Sequence, residues 1–383
     1  MTAAPASSSR PLPVGRPIGV GIIGLSASGG WAARAHVPAL RALDGYELRA
    51  LTASTKDKAA AAAATYDVPL AFGTPGELAA CDEVDLVVVA VRVPQHTELI
   101  HAAIDAGKAV LCEWPLARNR AEARELADAA RDMGVLTATG LQARSAPAIR
   151  YVADLVADGY VGDVLSSTLT GSGGNWGATA AGEDSHYLLD AANGATMLTI
   201  PFGHTIDAVA AVLGEPVVDS ATLTTRQAVV TDTQSGRKLP KNAADQITLA
   251  GTLPGGAVLS AHYRGGTSKG TNLRWEINGT DGDLVIEAAA GHLQIFPPTV
   301  HGGRGADKEL TVVEVPASYD RVRGTGIGPQ MPAHNVAHAY AQLLDDVRSG
   351  TRVVPDFDHA VRRHGTLQAI MDKAGQPWQA SGA

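Results

Sequence analysis

The sequence predicts an α/β chain: a doubly wound parallel sheet first, then an α+β domain with a large, mostly antiparallel sheet. Three observations predict it. From residue 18 to about residue 140, short apolar runs alternate with helical stretches without a break. From Asp163 onward the texture changes to strand-like runs separated by Gly, Asn and Asp turns. The 383 residues, 45% hydrophobic and 18% charged, suffice for two ordinary domains with buried cores. The expected boundaries are a disordered N-terminus over residues 1–16, rich in Ala, Ser and Pro, a first domain over 17–145 and a second over 146–383.

Taken in order, Ile18 to Gly24 is an apolar strand, followed by a turn of small residues, a helix and a second strand from Tyr46 to Ala53. This βαβ unit binds dinucleotides when its first turn lets backbone approach a pyrophosphate, the Rossmann arrangement. The turn Gly24-Leu25-Ser26-Ala27-Ser28-Gly29 keeps the outer glycines of Gly-x-Gly-x-x-Gly and puts Ser26 at the middle one. A Ser hydroxyl costs clearance yet can donate to phosphate, and Ser28, Gly29 and Gly30 leave N–H groups able to face an anion at the helix N-terminus. Gly24, Ser26, Ser28, Gly29, Gly30 and the following Trp31 are therefore candidate cofactor residues; the competing account is a tight turn with no ligand.

Lys56 to Thr65 is an Ala-rich helix, and Asp85 to Val91 is a continuous apolar strand of the kind buried on both faces of a parallel sheet. Pro94 to Ala106 is a helix with Pro at its start, Lys108 to Cys112 a strand, Asn119 to Met133 a helix capped by Asn119, and Val135 to Thr139 a strand. In the second domain the expected strands are Val164 to Thr170, Val217 to Val230, Ile247 to Leu253, Ala257 to Tyr263, Leu273 to Gly279 and Leu284 to Ala288. A helix from Ala195 to Leu213 interrupts them. Two helices, Ala333 to Ser349 and Asp358 to Lys373, end the chain, at least one of them able to pack on the first domain.

Composition excludes several classes. A net charge of −8 and a pI near 5.8 leave no basic field for a nucleic-acid backbone. No apolar run approaches the roughly 20 residues a bilayer needs. The N-terminus lacks the apolar middle of a secretory signal, and two cysteines, Cys81 and Cys112, beside apolar runs suit a reducing compartment, so a cytoplasmic protein is expected. His334 and His338 stand four apart on a helix, but no Glu or Cys joins them in a recognised pattern, and no metal is expected.

Ligands of open α/β sheets bind outside the carboxyl ends of the strands. The tips there are the turn after Gly24, Ser54-Thr55-Lys56, Arg92 to His96, Glu113-Trp114-Pro115 and Gln142 to Arg144. An NAD enzyme shows an acid about 20 residues past the first turn. None lies between Arg49 and Lys56, and Ser54, Thr55 and Lys56 suit a 2′-phosphate, which favours NADP and leaves NAD open. The bland alternative is that Lys56 merely starts a helix.

With Glu113-Trp114-Pro115-Leu116 after the fifth strand, Leu141-Gln142-Ala143-Arg144, Gly159 to Asp163, Phe202-Gly203-His204-Thr205-Ile206-Asp207 and Gly279 to Leu284, the chain resembles the glucose–fructose oxidoreductase / inositol dehydrogenase / rhizopine-catabolism (Gfo/Idh/MocA) family. Within it the resemblance is to the branch containing the fungal galactose-regulon repressor. It implies cofactor contact near Val91 and Pro94, with Arg92 and His96 at the same tip, although His96 equally suits a helix's first turn. It also implies Glu113, Trp114 and Gln142 near the cofactor, and His204 as an acid–base group. Enzymes of the family carry Lys where this chain has Trp114 and Asp where it has Ile200; only His204 remains of that set. Trp114 offers a flat face for a ring or a sugar, or a core-packing side chain.

Asn175, Trp176, Trp114 and His204 are the candidate substrate contacts, with Tyr187 and His186 as substitutes for the missing acid–base groups. Two functions follow: an NADP-dependent oxidoreductase acting by hydride transfer on a sugar, cyclitol or polyol-like substrate, or a cofactor-binding sensor like the repressor. The resemblance further implies a homodimer or dimer of dimers through the second domain's sheet, whose alternating strands between Ile247 and Ala288 would otherwise expose an apolar face.

Overall fold

Contacts divide the chain after Gly140 in the computed structural model, which describes residues 11–376. One unit holds the residues up to Gly140 with Arg321–Arg362, the other Leu141–Asp320 with the residues from Arg363 onward. The first unit is built on six parallel strands, β1 Ile18–Ile23, β2 Tyr46–Thr52, β3 Leu70–Phe72, β4 Leu86–Val89, β5 Ala109–Glu113 and β6 Thr137–Gly140, in the order β3-β2-β1-β4-β5-β6. Every residue of β1 and β4 is buried, which is why both read as uninterrupted apolar runs. The order reverses between β1 and β4, the switch point at which such sheets bind ligands.

Local signals set the helices between them. A π-helical stretch, Ala32–His36, leads into α1 Val37–Arg41, and Thr55 caps α2 Lys56–Thr65 by accepting from the Lys58 N–H. A reciprocal Thr74/Glu77 capping box starts α3 Pro75–Ala80. Next come α4 His96–Asp105 and α5 Arg120–Asp132, the latter capped by Asn119 as expected. Of the stretch expected to be disordered, residues 1–10 lie outside the described residues, but 11–16 are ordered. Leu12 joins the core of the first unit, and the Arg16 guanidinium meets both oxygens of buried Asp85 at 2.7 and 2.9 Å, while Asp85 also accepts from the Gly19 N–H. An apolar and a charged anchor outweigh the coil-like composition around them.

The second unit begins with Leu141. After α6 Pro147–Ala157 come β7 Val164–Gly173, β8 Thr179–Ala180, α7 Gly203–Leu213, β9 Val217–Thr224, β10 Val229–Asp232, β11 Lys238–Pro240 and β12 Gln246–Thr252. Then follow β13 Val258–Gly265, β14 Leu273–Gly279, β15 Gly282–Ala288, β16 Thr299–Arg304 and β17 Thr311–Val312. The large sheet runs β17-β16-β15-β14-β7-β13-β12-β9, antiparallel except between β7 and β13, and β11-β10-β8 form a small second sheet. The single strand expected from Val217 to Val230 is two strands in different sheets. The Asp245 carboxylate accepts the N–H groups of Arg226 and Gln227 at 2.9 and 2.8 Å and holds the chain in a loop between them. The helix expected from Ala195 is α7 preceded by a π-helical stretch, Leu198–Phe202, where Pro201 offers no N–H to a regular ladder.

Alternation in the large sheet sends Ile247, Leu249, Leu259, Ala261 and Tyr263 inward and leaves Thr248, Ala250, Ser260 and His262 exposed. On β14, Arg274 pairs with Glu276 and Glu287. The exposed face of β12 and β13 thus carries mostly small and polar residues, with Val258 as an exposed apolar residue at its end.

The chain returns to the first unit with α8 Ala333–Ser349, whose Val336, Ala337, Tyr340 and Leu343 join its core, and it enters α9 Phe357–Lys373.

The tightest backbone constraint at the switch point is Gly24. Its φ is +101°, and a Cβ there would lie 2.5 Å from Val91 Cγ1 and 2.8 Å from the Ala90 carbonyl oxygen. Gly24→Ala is expected to destabilise the chain by about 1–3 kcal/mol, the cost of a strained non-Gly backbone, measured by chemical denaturation. An unchanged unfolding midpoint would contradict this.

Candidate functional site

The turn after β1 closes on itself and leaves its glycines open. Gly29 N–H donates to the Ser26 carbonyl at 3.0 Å, the Ser26 and Ser28 hydroxyls lie 2.9 Å apart, and the Tyr66 hydroxyl holds the Ser26 carbonyl from outside. Gly29 and Gly30 have φ of +105° and +109°, and a Cβ on either would meet nothing within 4 Å. Two exposed hydroxyls and open backbone at the start of a helix suit a phosphate, so the residues present fit a dinucleotide. At the β2 tip the Thr55 hydroxyl serves the α2 cap, and Lys56 is exposed beside it. The sequence missed Lys58, whose ammonium lies 3.2 Å from Ser54 Oγ and adds a second cation at that tip.

Across the switch point, Val91 is half-buried, and Arg92 and Pro94 are exposed at the β4 tip. His96 is a correction: its ring is buried, with Nε2 3.1 Å from the Val91 carbonyl and Nδ1 3.2 Å from the Leu116 carbonyl and from Cys112 Sγ. It braces the β4 and β5 tips from behind, and burial pushes its pKa down. Trp114 is 5% exposed, in a buried run through Ala117, so its burial supports core packing over an open platform. Glu113, the last residue of β5, is the polar group at that tip. Its Oε1 lies 3.1 Å from Nε2 of the buried His36, whose Nδ1 is 2.8 Å from the Tyr340 hydroxyl. Burial raises the Tyr340 pKa well above its ordinary value, which keeps the hydroxyl protonated. Neither His36 nor Tyr340 was singled out from the sequence, since both read as helix residues.

The second unit has its own polar centre. Gly171 lets the Tyr263 ring cross β7, where its hydroxyl meets Thr205 Oγ1 at 2.7 Å and the Gly291 carbonyl at 3.2 Å. Gly291 lies so close to Ser172 that a Cβ would fall 2.1 Å from the Ser172 carbonyl oxygen. This seats His292 with its ring stacked on Trp176, centroids 6.0 Å apart. The Trp176 loop is pinned by Lys241, whose buried ammonium donates to the Trp176 and Gly177 carbonyls at 3.0 and 3.2 Å and pairs with Asp245 at 3.0 Å. Asn175 is exposed, whereas Trp176 is 1% exposed.

His204 is buried beside this group. Burial chiefly lowers its pKa to about 3, with Asp207 opposing and His292 adding to the drop, and burial lowers His292 to about 4. Asp207 has little charge to lend, because Arg363 and Arg144 reach its two oxygens at 3.1 and 3.0 Å. His204 Nδ1 and Trp176 Nε1 are both buried with no hydrogen-bond partner. Gln142, buried in the same unit, has an unpartnered Oε1. His186 is drawn elsewhere: its Nε2 sits 3.0 Å from Asp232 Oδ2, whose pKa falls to about 2, chiefly through the Gln234 N–H. His186 therefore has a structural partner at the β10–β11 turn. Tyr187 follows it, half-buried, with its carbonyl bonded to Asn193. His292 is the residue missed here; no spacing in the sequence ties it to His204.

Comparison with known proteins accords with both units. Residues 18–141 match the model of the oxidoreductase family with an NAD-binding Rossmann fold, and residues 147–288 match the Gal80p C-terminal domain. The galactose/lactose metabolism regulatory protein GAL80 of Saccharomyces cerevisiae is 30% identical over 395 residues, covering 92% of this chain and 87% of the relative. The chain belongs to the Gfo/Idh/MocA family. A second relative, dehydrogenase aclE of Aspergillus oryzae, is 32% identical over 340 residues, 86% of this chain and 87% of its own. Among solved structures, a super-repressor mutant of Gal80p from Saccharomyces cerevisiae superposes with a TM-score of 0.82 at 26% identity, covering 94% of this chain and 96% of the other. Levoglucosan dehydrogenase in complex with NADH and levoglucosan, 22% identical, shares the fold with a TM-score of 0.78 over 94% of this chain and 97% of its own.

In this family member the histidines of the second unit should make it acid-labile. His204, His292 and His364, the last also lowered to about 3 by burial, take a proton near 6.5 when unfolded but only near 3 to 4 when folded. The unfolded chain binds more protons within that window. Stability is therefore fully present above pH 6.5 and falls with pH through the window, by about 1.4 kcal/mol per unit for each histidine. Denaturation between pH 7 and 4 should show the fall, reduced in His204→Leu; equal falls in both proteins would contradict it.

Proposed function

We propose that the protein is an NADP(H)-dependent oxidoreductase acting on the hydroxyl or carbonyl of a sugar, cyclitol or related polyol-like molecule. Two observations carry this reading: an open, glycine-lined turn in the first unit and, in the second, a buried His204 whose Nδ1 has no hydrogen-bond partner. Ser26, Ser28 and the backbone at Gly29 and Gly30 hold the pyrophosphate, while Lys56 and Lys58 face a 2′-phosphate where no acid precedes them. When bound, the nicotinamide supplies or accepts the hydride. Burial holds His204 neutral at physiological pH, so its imidazole would accept the substrate hydroxyl's proton as the hydride leaves for the nicotinamide and would return it in the reverse direction. Trp176 Nε1 is a donor for that oxygen or a neighbouring hydroxyl.

A second reading, a dinucleotide-binding sensor, draws on Trp114 and Ile200 at the family's Lys and Asp positions and on the likeness to GAL80. Turnover separates the two. Purified protein with NADPH or NADP and a panel of sugars and ketosugars, followed at the nicotinamide absorbance, should show activity that His204→Ala lowers by roughly 10²- to 10⁴-fold while nucleotide affinity holds. Absence of turnover with every substrate, together with nucleotide-dependent binding of a protein partner, would favour the sensor.

Cofactor choice is tested separately. Lys56→Glu should erase or reverse the preference for NADPH over NADH, since it sets a carboxylate against the phosphate. Wild-type protein binding NADH at least as tightly as NADPH would contradict the NADP assignment.

A further inference from the structure

The geometry points to His36, held by Tyr340, as a positioning residue that fixes the Glu113 carboxylate for the nicotinamide half of the dinucleotide. This rests on the nucleotide site proposed above and adds residues to it. In a doubly wound sheet the two halves take the two ends of the ligand: the strands on the β2 side of the switch point take the adenosine end, and those on the β4–β5 side take the nicotinamide end. Glu113 ends β5 and is therefore on the nicotinamide side.

The brace behind it is built for direction. The Tyr46 hydroxyl donates to the Tyr340 carbonyl at 2.8 Å, and the two rings meet at 5.1 Å, which locks Tyr340. His36 Nε2 faces the Glu113 carboxylate, an acceptor, which favours the proton on Nε2 and leaves Nδ1 of the neutral ring to accept from the Tyr340 hydroxyl 2.8 Å away. That N–H lies 3.1 Å from Glu113 Oε1, but it is not aligned as a hydrogen bond and has no other partner. A buried N–H left in this way has an energetic reason to draw the carboxylate onto its axis. On its other side Glu113 lies against Gly140, where a Cβ would come within 2.5 Å of Oε1 and 2.9 Å of Cδ. The imidazole and the bare glycine backbone leave the half-buried carboxylate one place to sit. Glu113 is thus presented to the nicotinamide amide or its ribose hydroxyls, groups that donate to a carboxylate.

The test compares whole dinucleotides with their adenylate halves. Fluorescence or calorimetric titration of NADPH and NADH, and of adenosine 2′,5′-bisphosphate and ADP, is run on wild type, Tyr340→Phe, His36→Leu, His36→Gln, Glu113→Gln and Gly140→Ala. Tyr340→Phe, His36→Leu, Glu113→Gln and Gly140→Ala are expected to weaken the dinucleotides roughly tenfold or more, the scale of a lost charged hydrogen bond, and to leave the adenylate halves unchanged. His36→Gln keeps an N–H near the Nε2 position and should retain most of the affinity. His36→Leu placed on Glu113→Gln should add nothing further, because the two act on one contact. Equal losses for dinucleotide and half, or additive losses in the double variant, would show a merely structural role and overturn the inference. Wild-type protein that binds the dinucleotides normally alongside unaffected variants would also overturn it. Wild-type protein that binds no dinucleotide would instead overturn the nucleotide site itself and the inference with it.

Discussion

The first unit depends on one close approach, Gly24 against the Ala90 carbonyl and Val91 side chain at the ends of β1 and β4. No side chain fits between these backbones, so the chain turns there without a Cβ and passes through Leu25–Gly30 into the helical stretch at Ala32. That turn does two things. It leaves the Ser26 and Ser28 hydroxyls and the open backbone at Gly29 and Gly30 just before a helix start, the arrangement that favours an anion. It also carries His36, on the buried face of the same helix, to Glu113 at the end of β5. The phosphate loop and the brace of the neighbouring tip are consequences of a single turn.

The second unit solves a different problem with the same means. Glycines at 171 and 291 let a tyrosine ring and a loop lie flush on β7, and a buried Lys241–Asp245 pair fixes the Trp176 loop. Burying two charges is expensive, and the pair stands because every N–H of the ammonium has an acceptor and both carboxylate oxygens accept backbone N–H groups. The reward is a dry centre in which His204 and His292 stay neutral. The glycines at 171, 173 and 177 are therefore explained by close packing against Tyr263, Met197 and Gly266.

Much of this was legible in the sequence because it is written in local patterns. Apolar runs at β1 and β4, the caps at Thr55 and Asn119 and the glycine turn declare themselves over a few residues. Family motifs extended that to His204 and Glu113. What stayed hidden is long-range. His36 and Tyr340 read as ordinary helix residues until the fold brings α8 against the helix that follows β1. His292 has no spacing relation to His204, and Lys58 lies two residues beyond the Ser54-Thr55-Lys56 tip where a cation was sought. Burial was also illegible: His96 and Trp114 sit at strand tips in the sequence, but their side chains turn inward. Leu12 shows the converse error, a core residue inside a segment whose composition suggests coil.

The first unit is expected to hold a nicotinamide dinucleotide across its switch point. Calorimetric titration of the wild-type chain with NADPH tests it most directly, with ATP as a control ligand that carries phosphates and adenine but no nicotinamide. One NADPH should bind per chain, more tightly than ATP. No heat with NADPH, or affinity equal to that for ATP, would contradict it.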